Sequence, residues 1–191
     1  MATIPATYAQ VITPLTHVNL SRSAAVVYGI SVLSSPASAS DLADTVNAAF
    51  RADLSALIDS QVTIGPSHVS WNDGSGIFSG DGTDSGNGTL SDNTCPPNVA
   101  LLVRKTTAAP GRAGRGRMYL PWAATEASVS EAGAFDPAAA AVVNAAFEDW
   151  RVAMAGDDNQ IVVLHAGAGT PAAVTAFSCD LRVATQRRRL R

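Results

Sequence analysis

Two stretches of this chain place large apolar residues at helical spacing, and short strand-like runs flank both of them. The first stretch predicts a helix over residues 40–59. Its apolar face is formed by Leu42, Val46, Phe50, Leu54, Leu57 and Ile58. Ser38 and Asp41 have the spacing of a capping box with a shortened acid, and Ser40 is a competing N-cap.

The second stretch predicts a helix over residues 137–155. Pro137 follows Asp136 at the first helical position, where a missing N–H costs nothing, and Gly156 is suited to end the helix. The apolar face consists of Val143, Phe147, Trp150 and Met154.

Alternating or short continuous apolar runs around these helices predict strands. They cover residues 23–33, 61–69 with a break at Gly65-Pro66, 98–105, 161–164 and 174–183. A helix between two strands covers one face of the sheet that the strands share. We therefore expect an α+β fold, a two-layer sandwich whose mixed or antiparallel sheet carries two helices on one face, ferredoxin-like with extra strands.

The length of 191 residues favours one domain, which we place at residues 23–184. Pro5 and Pro14 oppose a helix in residues 1–22, which predicts an extended N-terminal arm. Residues 72–94 are mostly Gly, Ser, Asp, Asn and Thr, which predicts a long loop or a hairpin around Ile77 and Phe78. Residues 185–191 form a basic C-terminal tail.

Charge is sparse and unevenly placed. Charged residues make up 15% of the chain, the net charge is −3, and Lys105 is the only lysine. Residues 1–10 lack the basic start and apolar run of a signal peptide, and no apolar run reaches the length of a membrane span. We expect synthesis in a cytoplasm and no membrane partner.

No motif predicts a cofactor or metal site. The stretch from Gly167 to Ala172 matches the letters of a dinucleotide fingerprint, but a strand and an arginine tail follow it instead of a helix and an acid, which favours a hairpin turn. The loop acids Asp73, Asp81, Asp84 and Asp92 lack the spacing of a calcium-binding ladder, so a solvated loop is the default.

Nothing in the chain predicts catalysis. His17, His68 and His165 are scattered, and the chain contains no G-x-S-x-G turn for a nucleophile. Cys95 and Cys179 form no C-x-x-C pair, and Cys179 is expected in the core. We therefore predict that the protein is not an enzyme.

The segment 110–121 is the most distinctive, because glycines alternate with arginines in it. Such a segment suits two uses, namely phosphate contact with nucleic acid or pairing with carboxylates and carbonyls across a subunit interface. The negative net charge favours the interface, with nucleic-acid binding as the alternative. The candidate interface residues are Arg112, Arg115, Arg117, Tyr119, Trp122, Arg187, Arg188 and Arg189.

Together with the terminal stretch 185–191, this segment resembles small uncharacterised proteins encoded among the virion genes of tailed bacteriophages. The resemblance covers two short stretches and the general length. It implies a head, connector or tail subunit of the virion without catalysis. Such a subunit would contact copies of itself and other virion proteins.

Overall fold

The computed structural model describes residues 7–32, 37–72, 77–84, 86–91, 99–108, 115–124, 137–163 and 171–183. These residues form an α+β structure with two helices and nine strands. In chain order the elements are β1 (Thr7–His17), β2 (Arg22–Val32), α1 (Ala39–Leu54), β3 (Val62–Ile64), β4 (His68–Asn72), β5 (Ile77–Asp81), β6 (Val99–Thr107), β7 (Arg115–Pro121), α2 (Pro137–Gly156), β8 (Asn159–Val163) and β9 (Ala172–Val183).

The strands form one sheet in the order β5-β4-β1-β2-β8-β9-β6-β7, and β3 pairs with β1 beside β4. Every pairing between these strands is antiparallel. The α+β class and the antiparallel alternative for the sheet are thus confirmed. This strand order does not confirm the ferredoxin-like arrangement.

The helices lie close to where the apolar periodicity placed them. The second helix ends within one residue of its predicted boundary, whereas the first ends at Leu54 and continues as the 3₁₀ turn Ser55–Leu57. The Ser38 hydroxyl oxygen accepts the N–H of Asp41 at 3.1 Å and donates to the Asp41 carboxylate at 2.8 Å. Ser38 is therefore the N-cap, and Ser40 instead donates to the carbonyl of Asp81.

The predicted N-terminal arm is wrong for residues 7–17, which form a strand inside the sheet. β1 pairs with β2 along its whole length and with β3 and β4 on its other side. The Gly65 N–H donates to the Pro14 carbonyl at 2.9 Å, so Pro14 faces the gap between β3 and β4. The Gly65 carbonyl, which a residue with an N–H at position 14 would face, lies 3.5 Å from Asn47 Nδ2 instead, so the proline is tolerated at this irregular end of the β1–β3 pairing.

The interior is formed where both helices meet the sheet. Trp150 of α2 is fully buried, and its ring contacts the rings of Tyr28 in β2, Phe50 in α1 and Phe177 in β9. The residues predicted to be buried, Phe50, Leu54, Val143, Phe147 and Trp150, are all at most 2% exposed. The apolar helical faces were therefore predicted correctly.

The polar stretch predicted as a long loop has more structure than its composition indicates. β5 forms within it as the partner of β4, which agrees with the predicted hairpin around Ile77 and Phe78. A Cβ on Gly80 would lie 2.6 Å from the Ala39 Cβ, so glycine allows β5 to approach the start of α1. Residues 82–84 and 86–91 then run along α1 and hydrogen-bond to its residues Asp44, Asn47 and Arg51 and to Ser55 of the 3₁₀ turn.

Candidate interaction surface

The outer face of strands β9, β6 and β7 carries the exposed part of the predicted interface. Along β6, Val103, Lys105 and Thr107 are buried and Arg104 and Thr106 between them are exposed, whereas Leu101 and Leu102 before them are both fully buried. This alternation follows from the two-residue period of a strand. We call the exposed side of these three strands the outer sheet face.

Strand register arranges the residues of the outer sheet face in rows. Arg104 lies opposite Arg117 of β7 on one side and Ser178 of β9 on the other. In the next row, Leu102 lies between the half-exposed Tyr119 and Asp180 and is itself fully buried. The outer sheet face therefore presents two neighbouring guanidinium groups beside an aromatic ring.

The charges on the outer sheet face are only partly paired. Arg104 Nη2 lies 3.3 Å from Asp180 Oδ2, and both side chains are about half exposed. Arg117 is exposed and has no carboxylate partner within the described parts of the chain. An unpaired guanidinium group can bind a carboxylate or a phosphate through two parallel hydrogen bonds.

Tyr119 adds apolar area next to these charges. Its side chain is 50% exposed, in contrast to its strand neighbours Met118 and Leu120, which are buried. An exposed tyrosine beside arginine is the combination that protein interfaces enrich, because both side chains contribute large contact areas and fixed hydrogen-bond geometry.

The remaining predicted interface residues have different outcomes. Arg115 begins β7, opposite Thr106, so its backbone belongs to the same sheet. Arg112 and the tail residues Arg187, Arg188 and Arg189 lie outside the described residues.

Trp122 lies in the interior of its own subunit and is only 5% exposed. Its ring packs edge-on against His17 with 5.6 Å between centroids, and its carbonyl accepts the N–H of Asp59. Its φ of 52° marks the sharp turn that leads the chain inward after β7. Trp122 therefore cannot offer its ring to a partner while this packing holds.

Sequence reasoning missed Arg104 and Asp180 as parts of the surface. The run 98–105 was interpreted as a buried central strand, although the charged residue Arg104 interrupts its apolar residues. A charged side chain within an apolar strand is the available signal for an exposed face. The neighbourhood of Arg104 and Asp180 depends on the pairing of β6 with β9, which are far apart in sequence.

Lys105 extends from the opposite side of β6 into the interior. It is 6% exposed, and burial lowers the pKa of its ammonium group to about 8. A Cβ on its strand partner Gly116 would lie 2.8 Å from Val163 Cγ2 and 3.4 Å from Lys105 Cδ. This glycine of the Gly/Arg segment therefore lets β7 approach β8 within the same subunit.

Other polar groups already have partners. His68 Nδ1 lies 2.7 Å from Asp81 Oδ1, and Arg51 pairs with Asp84. Burial raises the pKa of the Cys179 thiol to about 12, which disfavours the reactive thiolate. Within the described ranges, no three His, Cys, Asp or Glu residues are grouped to hold a metal ion. Asp73, Asp92, Cys95, His165 and residues 167–170 lie outside those ranges.

An open pocket of about 360 Å³ lies between the end of α2 and strands β8 and β9. Arg151, which lines it, is bound to Glu148 by two hydrogen bonds, one from Nε at 2.9 Å. Gln160 and Thr175 supply its other polar side chains. Arg151 is the charged residue of this lining and is already paired, so the lining indicates no particular ligand.

Neither of the two described helices is long and apolar enough to cross a membrane. No protein-family model, curated protein or solved structure matches the chain.

Proposed function

We propose that the protein is a non-enzymatic structural subunit of a tailed-phage virion, a head, connector or tail component that works through homo-oligomeric assembly. In this proposal the helices form one layer of a two-layer sandwich, a ferredoxin-like arrangement with extra strands. The other side of the sheet contacts neighbouring subunits and other virion proteins. The observation that carries the proposal is the outer sheet face, where Arg117 and the half-exposed Tyr119 have no burial partner in the described structure.

The outer sheet face favours contact with a protein partner over contact with solvent for two physical reasons. An exposed aromatic beside unpaired arginine gains contact area and charge-assisted hydrogen bonds when a neighbour covers it. In addition, only 15% of the residues are charged, so the surface has little solvated charge to oppose association.

Nucleic-acid binding is the second candidate, and the same surface favours it. Arg104 and Arg117 are in register across β6 and β7, where they could contact successive phosphates, and Tyr119 could stack on a base. The carboxylate of Asp180 and the net charge of −3 oppose this use.

The experiment replaces Arg112, Arg115 and Arg117 together by alanine. We expect a folded protein that assembles poorly, because these side chains would pair with carboxylates and carbonyls of a neighbouring copy. Deletion of residues 186–191 should have the same effect more weakly, since solvent replaces a terminal tail easily. Mass in solution by analytical ultracentrifugation, beside a thermal melt, measures both.

The matched control is Arg22→Ala, which removes an exposed arginine at the start of β2. It should leave assembly unchanged. If the triple variant assembles normally while the wild-type protein binds generic DNA tightly and with strong salt dependence, nucleic-acid binding replaces the interface. If the triple variant unfolds, the segment supports its own subunit and the interface proposal fails.

A further inference from the structure

Two exposed surfaces of the molecule carry unpaired charges of opposite sign. The outer sheet face carries Arg104 and Arg117, as described above. Its reverse side packs against α2, where Phe177 of β9 contacts the rings of Phe147 and Trp150. The exposed side of α2 therefore points away from the outer sheet face, so that the two surfaces lie on different sides of the subunit.

The exposed side of α2 is apolar with an acidic centre. Val142, Ala145, Asp149 and Val152 are all exposed and follow one another at intervals of three, four and three residues. Val142 is 66% and Val152 57% exposed, so two apolar side chains of this helix face lie in solvent. We call these four residues the α2 outer stripe.

A second carboxylate lies beside this stripe without compensation. Asp53 of α1 has one carboxylate oxygen, Oδ2, that is buried and accepts no hydrogen bond in the described structure. Burial raises the pKa of Asp53, and repulsion from Asp149 raises it further. Among the described residues no cation pairs with Asp53 or Asp149, so a guanidinium group of a second copy would meet two neighbouring carboxylates here.

We propose that the α2 outer stripe of one copy docks on the outer sheet face of the next copy, with Arg117 near Asp149 and Asp53 and with Tyr119 against Val142. This proposal rests on the proposed function and names the partner and the geometry of its contact. Because two different surfaces meet, the contact is heterologous, and its repetition builds a ring or a filament.

Charge complementarity favours this arrangement. Arg104 already pairs with Asp180 within the outer sheet face, which leaves Arg117 as the exposed guanidinium group of that face without a carboxylate among the described residues. Contacts between like surfaces that bring two Arg117 groups or two Asp149 groups together are opposed by like-charge repulsion. The mixed contact pairs Arg117 with Asp149 and places exposed apolar surface against an exposed aromatic ring.

The test reverses each charge separately and then both together. Asp149→Arg and Arg117→Glu should each weaken assembly about tenfold or more, as measured by analytical ultracentrifugation across a dilution series. The double variant should assemble again, because each contact regains opposite charges. An equimolar mixture of the two single variants should also assemble, since the reversed stripe of one fits the reversed face of the other.

Two controls keep the result interpretable. Asp81→Arg makes the same charge change on β5, away from both surfaces, and should leave assembly as in the wild type. Thermal melts must show that each variant is folded, and Val142→Ser provides an uncharged disruption of the stripe if Asp149→Arg unfolds.

The outcomes separate this inference from the function on which it rests. Assembly of the wild type that Asp149→Arg and Val142→Ser leave unchanged overturns the docking geometry but keeps the structural role. Weakened single variants that neither the double variant nor the mixture rescues also overturn it. A wild-type protein that stays monomeric at every concentration overturns both proposals.

Discussion

The indole ring of Trp150 meets the phenol ring of Tyr28 edge to face, with 5.0 Å between the ring centroids. This contact joins α2 to β2, and further contacts of the same indole reach Phe50 in α1 and Phe177 in β9. Edge-to-face packing places the positive ring edge against a negative ring face. One side chain thus connects both helices to two separate parts of the sheet.

Replacing Trp150 by alanine should therefore lower the free energy of unfolding by about 3–5 kcal/mol, because a large cavity would open at this junction. Phe147→Ala should fall in the same range, since its side chain is also fully buried. Chemical denaturation of dilute protein measures both changes. The matched control is Val152→Ala on the exposed side of α2, which should change stability by less than about 1 kcal/mol. Losses below that value for Trp150→Ala would mean that the aromatic cluster does not hold the helices.

The helices could be predicted because one-sided burial leaves a periodic record in the sequence. Trp150 and Phe147 face the interior and must be apolar, whereas the residues between them do not face it and can be polar. The strand Thr7–His17 left a weaker record: Ala9 and Thr13 are small or polar although they point inward, and Pro14 argued against regular structure. The position of this strand inside the sheet depends on its pairing with β2 on one side and with β3 and β4 on the other. The residues of the strand alone do not predict these partners.

The candidate surface was predictable only where its residues are adjacent in sequence. Arg117 and Tyr119 were found because the Gly/Arg segment is unusual in composition. Trp122 lies just after the same segment of the sequence, but its own positive φ turns the chain there and places its ring in the core. Arg104 and Asp180 required the register between β6 and β9, and the acidic neighbours Asp53 and Asp149 required the packing of α1 on α2.

A second prediction concerns the polar segment along α1. Arg51 is 7% exposed, donates to the Gly86 carbonyl at 2.8 Å and pairs with the Asp84 carboxylate. Arg51→Ala should destabilise the protein by about 1–3 kcal/mol, because the hydrogen bonds of a charged group are lost. It should also speed amide hydrogen exchange at Thr83 and Asp84, whose N–H groups donate to Asp44.

The control for Arg51→Ala is Arg22→Ala, an exposed arginine that should change neither quantity. Unchanged exchange at Thr83 and Asp84 in the Arg51 variant would show that Asp44 alone holds the segment.

A third prediction follows from the burial of Lys105. Its pKa of about 8 in the folded protein lies below the ordinary lysine value of 10.5, so the unfolded chain binds one more proton between these two values. Stability should therefore rise with pH through this window, by on the order of 3 kcal/mol in all. Lys105→Met should remove this rise and should be the more stable protein at pH 7, since it buries no charge.

Urea denaturation of both proteins between pH 7 and 10 measures the effect. The difference between them isolates Lys105, because Tyr28 and Cys179, whose pKa values burial raises, oppose the trend equally in both. A constant difference across this range would mean that the Lys105 ammonium group reaches water.

The last prediction concerns Asp53, whose folded-state pKa is raised by burial and by the charge of Asp149. A raised pKa means that the folded protein holds this proton more tightly than the unfolded chain does. Stability should thus be lost as pH rises from the ordinary pKa of a carboxyl group through the folded value, and the cost should remain at neutral pH. Asp53→Asn removes the charge, so the melting temperature of this variant should exceed that of the wild type at pH 7, and the difference should shrink toward pH 4.

Thermal melts at low protein concentration measure this difference. The matched control is Asp158→Asn, in the exposed turn after α2, which should show no such trend. An Asp53 variant that is no more stable at neutral pH than the wild type would mean that a cation already compensates these carboxylates within the subunit, and the need for an arginine from a second copy would disappear with it.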